Sequence, residues 1–157
     1  MHSQKPKHSK NILYIFTILS FLGFLDATFL TVKHFSGESI PCSILHGCDV
    51  VTTSVYSLIF GIPVALIGAI FYVLLFVMAL IHIESGNKFA LKYMSYAPVV
   101  GFIASLRFLL LQAVVINAYC LYCLISALIS TLLFVTSVIM LKSQKNIHED
   151  RESQEGT

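Results

Sequence analysis

The sequence contains four cysteines, and their positions indicate where its chemistry lies. Cys120 and Cys123 form a C-x-x-C motif at the start of a long apolar stretch. If that stretch is a helix, both sulfurs are within reach of one disulfide bond, and the helix dipole and unpaired N–H groups stabilise a thiolate there. Cys42 and Cys48 lie in an earlier segment that also contains a glycine. Their spacing permits a disulfide bond but imposes little geometry on it.

The composition is typical of a protein embedded in a membrane. The chain has 157 residues, of which 57% are hydrophobic and 11% are charged, and its mean hydropathy is +0.84. Soluble domains carry about 25% charged residues, so this surface is not suited to water. The formal net charge is only +2, and the basic residues stand at the ends of apolar stretches. A basic patch for nucleic-acid binding is therefore not expected.

Four apolar stretches are long enough to cross a bilayer as helices, at about 1.5 Å per residue. They cover residues 11–32, 62–83, 96–116 and 120–141. We therefore predict an all-α integral membrane protein, a four-transmembrane-helix bundle whose single redox domain spans residues 11–141. The apolar and aromatic segment 54–60 is predicted to form a short interfacial helix in the first external loop. Polar tails cover residues 1–10 and 142–157, and we expect the second tail to be disordered.

The distribution of Lys and Arg predicts the orientation of the chain in the membrane. With four spans, both tails and the turn at residues 84–92 lie on one side. That side carries Lys5, Lys7, Lys10, Lys88, Lys92, Lys142, Lys145 and Arg151. The opposite side has only Lys33, so the positive-inside rule places both termini in the cytoplasm, with the chain in the cell (inner) membrane. All four cysteines then lie on the extracytoplasmic side, where disulfide bonds persist.

Three kinds of site fit four cysteines on one face of a membrane. A mobile disulfide beside a second pair at a helix start suits thiol–disulfide exchange, because an attacking thiolate must reach each sulfur. Two structural disulfides, or buried thiols that pack as small hydrophobic groups, are the inert alternative. Four thiolates also suit Zn²⁺, so a metal-binding membrane transporter is another alternative, although an oxidising compartment argues against it.

Several motifs together resemble the vitamin K epoxide reductase family in its bacterial form. They are the Cys42 and Cys48 pair, the run from Cys48 to Ser54, the Phe-Gly-Ile-Pro step at residues 60–63, and the C-x-x-C motif of Cys120 and Cys123. Residues 26–31 are similar to the first-helix pattern of that family. The resemblance extends over about residues 20–140, and the spacing of the cysteines with a serine six residues after the second is its most specific part.

The resemblance implies a quinone-dependent thiol–disulfide oxidoreductase that reoxidises an extracytoplasmic thioredoxin-like protein for disulfide-bond formation. Cys120 and Cys123 are then the redox pair next to a quinone of the ubiquinone or menaquinone type, with Cys123 as the thiolate that faces the ring. Cys42 and Cys48 match a shuttle pair, in which Cys42 exchanges with Cys120 and Cys48 exchanges with the external protein. Ser54 matches a residue that hydrogen-bonds a quinone oxygen. No metal is implied. Reduction of a vitamin K epoxide or quinone is a narrower alternative.

This sequence departs from the family pattern in two respects. Bacterial and plant members often carry a fused thioredoxin-like domain, and because this sequence ends soon after residue 141 we expect the partner to be a separate protein. Arg107 falls where the family often has a tyrosine.

Asp26 and Arg107 are charged residues within spans, so we expect them to face the bundle and to pair with each other. His46, between the loop cysteines, is expected to be a solvated loop residue.

Overall fold

The computed structural model describes residues 7–37, 47–86 and 88–155. Its helices are α1 (Lys7–Ser36), the short α2 (Cys48–Thr53), α3 (Val64–Ser85), α4 (Lys88–Leu110) and α5 (Leu121–Glu155). A π-helical turn at Leu111–Ile116 extends α4. Four segments of these helices are long and apolar enough to cross a membrane: Asn11–Ser36, Val64–Ser85, Phe89–Ile116 and Leu121–Ser143. The predicted all-α membrane fold of four spans is confirmed.

The four long helices form a closed ring. α1 packs against α3 and α5, and α4 packs against the other sides of α3 and α5. The centre of the ring is filled by buried side chains from all four helices, among them Phe16, Leu75, Met94 and Leu133. Large apolar side chains such as Ile18 of α1 are exposed on its outer surface. Helices that are apolar on both their inner and outer faces belong in lipid, which agrees with the composition.

Close approach of α1 and α3 depends on Gly23. A Cβ atom at this position would lie 2.6 Å from Cε1 of Tyr72. The Tyr72 ring is 4% exposed, and its hydroxyl donates a hydrogen bond of 3.0 Å to the backbone carbonyl of Ser126, which restrains the ring. Small residues allow such close contacts between membrane helices. Gly23 therefore sets the distance between α1 and α3.

The segment between the first two spans differs from the sequence prediction. We expected a short helix over residues 54–60, but the helix here is α2, which ends at Thr53. A 3₁₀ turn at Val55–Ser57 and a hairpin follow it. The hairpin pairs β1 (Leu58–Ile59) with β2 (Ile62–Pro63).

Backbone conformation explains why this segment is a hairpin. Phe60 and Gly61 both have positive φ angles, of 52° and 80°. Two such residues between paired strands form the type I′ turn that suits a two-residue hairpin, and they cannot continue a right-handed helix. Glycine adopts this conformation without steric cost, whereas Phe60 is an unusual residue for it.

The other helix boundaries lie near those predicted, with two exceptions. α4 begins at Lys88 instead of near residue 96. α5 continues to Glu155, although we expected the chain to be disordered after residue 141. Residues 142–155 contain neither proline nor glycine and are rich in Lys, Gln and Glu, so their helix propensity allows α5 to extend beyond its apolar part.

We expect the substitution Gly23→Ala to lower the free energy of unfolding by about 1–3 kcal/mol, because the added methyl group overlaps the Tyr72 ring. Gly68→Ala is the matched control, since its Cβ would lie 3.7 Å from the Cβ of Ala27, an ordinary contact. Both variants gain the same helix propensity, so their difference isolates the overlap. Thermal unfolding in detergent, followed by circular dichroism, measures it. Equal stability of the two variants would show that Gly23 does not limit the packing.

Candidate active site

Residues 117–120 link the π-helical turn to α5, and this link places Cys120 at the head of α5. Its carbonyl accepts the N–H of Leu124 at 3.0 Å, which makes Cys120 the N-cap residue of the helix. Its sulfur accepts hydrogen bonds from the backbone N–H groups of Tyr122 and Cys123. The first N–H groups of a helix have no partner within the helix. The Cys120 sulfur therefore takes the place of a capping oxygen, in a position that favours a thiolate.

Cys120 and Cys123 are free thiols whose side chains hydrogen-bond to each other. Cys120 lies one residue before the span that begins at Leu121. The hydrogen bond from Cys123 is the main reason why the pKa of the Cys120 thiol is lowered, and backbone N–H groups lower it further, while burial acts in the opposite direction. In this arrangement the favoured thiolate is Cys120, whereas the family resemblance implies a thiolate at Cys123 beside the quinone.

The loop cysteine Cys48 packs at the same end of the bundle as Cys120. Cys48 is the first residue of α2, is 1% exposed and is disulfide-bonded. It forms one buried cluster with Cys120, Leu30 and Val51. The structure thus brings Cys48 and the first cysteine of the C-x-x-C motif together.

Two other residues of the first loop cannot be placed in this way. Cys42, the predicted partner of Cys48, and His46 lie outside the described residues.

Gly47 brings the two cysteine-bearing segments into backbone contact. A Cβ atom at Gly47 would lie 2.9 Å from both the backbone nitrogen and the backbone oxygen of Tyr119. The residue before Cys48 therefore rests directly on the residue before Cys120. Because these are backbone atoms, a side chain at position 47 would push the loop away from the head of α5.

A cavity of about 570 Å³ lies beside Cys123, which forms part of its wall. Small-molecule sites typically have volumes of about 300–1,000 Å³ and mostly apolar walls, and this cavity fits both criteria. Three of its apolar lining residues, Ile67 of α3 and Val100 and Ala104 of α4, are exposed on the outer surface of the helices. These residues place part of the cavity wall at the accessible surface of α3 and α4. Cys120 is not among the lining residues, whereas Cys123 both lines the cavity and packs against the cluster that contains Cys48 and Cys120.

Gln112 is a site residue that sequence reasoning missed. Its side-chain Oε1 accepts the backbone N–H of Cys120 at 3.1 Å. Its backbone carbonyl accepts the N–H groups of Asn117 and Ala118. This one residue therefore holds the link that leads to Cys120. The available signal was an isolated amide side chain in an apolar span, eight residues before Cys120, because polar groups at membrane depth need partners within the protein.

Ser54 hydrogen-bonds residues of the cavity wall but is not itself part of that wall. Its hydroxyl donates a hydrogen bond of 2.8 Å to the carbonyl of Val51, and Ser54 does not belong to the cavity wall. Its contact with a quinone oxygen stays a prediction.

The expected ion pair between Asp26 and Arg107 is wrong. Asp26 of α1 hydrogen-bonds the side chain of Ser126 of α5. Arg107 of α4 is exposed and lines the cavity. The reason is the order of the helices, because α1 and α4 lie diagonally across the ring while α1 and α5 are neighbours.

Comparisons with known proteins identify the family of the chain. Residues 14–138 match the vitamin K epoxide reductase family, so the chain belongs to that family of oxidoreductases. The thiol-disulfide oxidoreductase LTO1 of Arabidopsis thaliana is 32% identical to it over 133 residues. The match covers 77% of this chain but 34% of LTO1, so the chain spans about a third of the length of that relative.

We expect Gly47→Ala to slow disulfide exchange between the loop and the C-x-x-C pair about 10-fold or more, since small displacements of reacting groups cost rate steeply. Tyr119→Ala is the control, because the contact is with the Tyr119 backbone and the Tyr119 side chain is 46% exposed. The measurement starts from fully oxidised protein, adds limiting reductant, and follows by acid quench and mass mapping how fast free Cys120 and Cys123 appear. Unchanged kinetics in Gly47→Ala would mean that the contact does not control the exchange.

The lowered pKa of Cys120 predicts that its thiolate forms at a lower pH than that of an ordinary cysteine, whose pKa is about 8.5. In protein with both loop cysteines replaced by serine, absorbance at 240 nm between pH 5 and 9 measures the thiolate. Cys123→Ala should move the midpoint to higher pH, because it removes the hydrogen bond that favours the charged form. Cys123→Ser, which keeps a donor, should move it less. Identical midpoints in all three proteins would contradict the assignment.

Proposed function

We propose that this protein is a quinone-dependent thiol–disulfide oxidoreductase that reoxidises a thioredoxin-fold protein outside the cytoplasm. The observation that carries the proposal is the position of the two sulfurs at the head of α5. Cys120 is buried in one cluster with Cys48, and Cys123, which packs against that cluster, also lies in the wall of the mainly apolar cavity. A relay between a soluble protein and a membrane acceptor needs one sulfur near the loop pair and one sulfur beside the acceptor.

The first exchange takes place at the loop pair. A thiolate of the reduced external protein attacks Cys48 and breaks a Cys42–Cys48 disulfide. The second thiol of the external protein then attacks its own bridged sulfur, so that protein leaves with a disulfide bond. Two electrons have passed to the loop pair, which is now a dithiol.

The second exchange passes these electrons to the head of α5. Cys42 attacks Cys120 in an oxidised Cys120–Cys123 pair and releases Cys123. Cys48 then attacks Cys42, which re-forms the loop disulfide and releases Cys120. The combination of a disulfide-bonded Cys48 with free Cys120 and Cys123 corresponds to the product of this step. The N–H groups at the head of α5 make Cys120 a good leaving thiolate, because they favour its charged form.

The last step re-forms the Cys120–Cys123 disulfide and gives up two electrons and two protons. A quinone bound in the cavity supplies an acceptor for both that is itself soluble in the bilayer. The apolar wall, its exposed residues on α3 and α4 and the presence of Cys123 support this choice. The hydrogen bond between the two thiols provides the contact from which their sulfurs can join.

The proposed orientation follows from the Lys and Arg residues. Both termini lie in the cytoplasm, and the cysteines lie on the extracytoplasmic side of the cell (inner) membrane, where a thioredoxin-fold partner finds oxidising conditions. The relative LTO1 is named as a thiol-disulfide oxidoreductase, which supports thiols as the electron donors.

The two other functions considered from the sequence have less support. In residues 7–37, 47–86 and 88–155, no three His, Cys, Asp or Glu side chains gather as metal ligands do, so nothing observed favours a metal transporter. The family name favours vitamin K epoxide as an alternative acceptor, which the experiment below can include.

We expect Cys120→Ala and Cys123→Ala each to lower quinone reduction at least about 100-fold with any thiol donor, because removing one member of a catalytic unit removes its whole function. Cys48→Ala should abolish oxidation of a reduced thioredoxin-fold protein while a small dithiol still works. Thr136→Ala, deeper in α5, is the control. Quinone absorbance in sealed right-side-out vesicles measures turnover, with vitamin K epoxide as a second acceptor. Turnover in both C-x-x-C variants would refute the proposal. It would also be refuted if the wild-type protein accepted the protein donor only in inverted vesicles.

A further inference from the structure

Gln112 has a second polar atom that the link to Cys120 does not use. We propose that its side-chain Nε2 donates a hydrogen bond to a carbonyl oxygen of the ring that binds in the cavity, and so selects a quinone over an apolar molecule of the same shape. This inference rests on the proposed function, because it assigns a residue to the acceptor site. It makes Gln112 a ligand-binding residue as well as a support for Cys120.

The orientation of the Gln112 amide follows from its partner. A backbone N–H can only donate a hydrogen bond, so the Gln112 atom 3.1 Å from the nitrogen of Cys120 must be the oxygen. The amide nitrogen is therefore the free end of the side chain. It has no hydrogen-bond partner among the described residues, although Gln112 is 0% exposed. Buried donors are nearly always satisfied, so this atom requires an explanation.

The position of Gln112 supplies that explanation. Gln112 belongs to the wall of the cavity that also contains Cys123. Among the buried side chains of that wall, as far as the structure describes it, Gln112 is the one with an unpaired polar atom. The hydroxyl of Tyr72, another lining residue, donates to the carbonyl of Ser126. A ligand that offers an acceptor oxygen here removes the cost of the buried donor.

The chemical class of the ligand follows from the rest of the wall. The lining is mainly apolar and the surroundings are lipid, so the ligand is a hydrophobic ring with an oxygen acceptor at its edge. Gln112 lies in a π-helical turn, a local widening that occurs frequently at functional sites. A site with a donor rejects a ring that lacks the matching acceptor, because the donor is then left unpaired.

The test measures the hydrogen bond directly. A menaquinone analogue with ¹³C at both carbonyls is bound to the purified full-length protein in detergent, and its carbonyl bands are recorded by infrared difference spectroscopy. One band should lie at lower wavenumber than in hexane. In Gln112→Met, which keeps the side-chain length but has no donor, that band should return to its position in hexane. The affinity for the quinone should fall about 10-fold, while that for a methylnaphthalene with the same tail should not change.

A second measurement keeps Gln112 in place and so does not depend on the folding of Gln112→Met. The chain has four glutamines, Gln4, Gln112, Gln144 and Gln154. In protein labelled with ¹⁵N-glutamine, replacing the other three by asparagine assigns the remaining side-chain signal to Gln112. One of its two amide protons should move downfield when the quinone is added, and not when the naphthalene is added.

The outcomes separate this inference from the proposed function. If the wild-type protein binds no quinone, the proposed function fails. If the wild type binds quinone but Gln112→Met keeps the shifted band, or the amide proton does not move, the assignment of Gln112 is overturned. Equal loss of affinity for the quinone and for the naphthalene would also overturn it, because Gln112 would then act only through the shape of the site.

Discussion

The contact between Gly47 and the backbone of Tyr119 is the interaction on which the proposed relay depends. Thiol exchange requires the attacking sulfur to approach along the axis of the disulfide bond it breaks, and a loop disulfide tethered elsewhere could not do so. A Cβ atom at position 47 would lie 2.9 Å from the Tyr119 backbone, so glycine permits a close approach that every other residue would prevent. The contact places Cys48 and Cys120 in one apolar cluster, from which water is largely excluded. In such surroundings a thiolate needs local stabilisation, which the head of α5 provides at Cys120.

The two cysteines of the motif connect the loop cluster to the cavity, because Cys123 packs against that cluster and also lines the cavity. Cys120 lies at the N-cap with the loop, and Cys123 lies one turn deeper beside the cavity. In the proposed relay, the spacing of the C-x-x-C motif therefore allows electrons from a protein thiol at the membrane surface to reach a lipid-soluble acceptor. Residues three apart lie on one face of a helix about one turn apart, so this spacing keeps the two sulfurs within reach of one disulfide bond.

The sequence predicted the parts of this structure that depend on local patterns. Hydropathy located the four spans to within a few residues, except at the start of α4, and the cysteine spacing identified the redox motif. Contacts across the bundle were not predictable in this way. Asp26 and Arg107 looked like partners because their charges are opposite. The pairing depends instead on which helices are neighbours, and Asp26 hydrogen-bonds Ser126 of the neighbouring helix α5. The hairpin was missed because Phe60 gives no signal for a positive φ angle.

Gln112 shows why the link could not be derived from composition. In a regular α-helix its carbonyl would accept the N–H of residue 116, but here it accepts the N–H of Asn117, one residue further along. Asn117 adopts the left-handed conformation, with φ of 51°, which ends the helix. The same widened turn leaves the Gln112 side chain free to hold Cys120 instead of packing along α4. The position of the redox pair in the bundle is therefore fixed by how α4 ends, and the start of α5 follows from it.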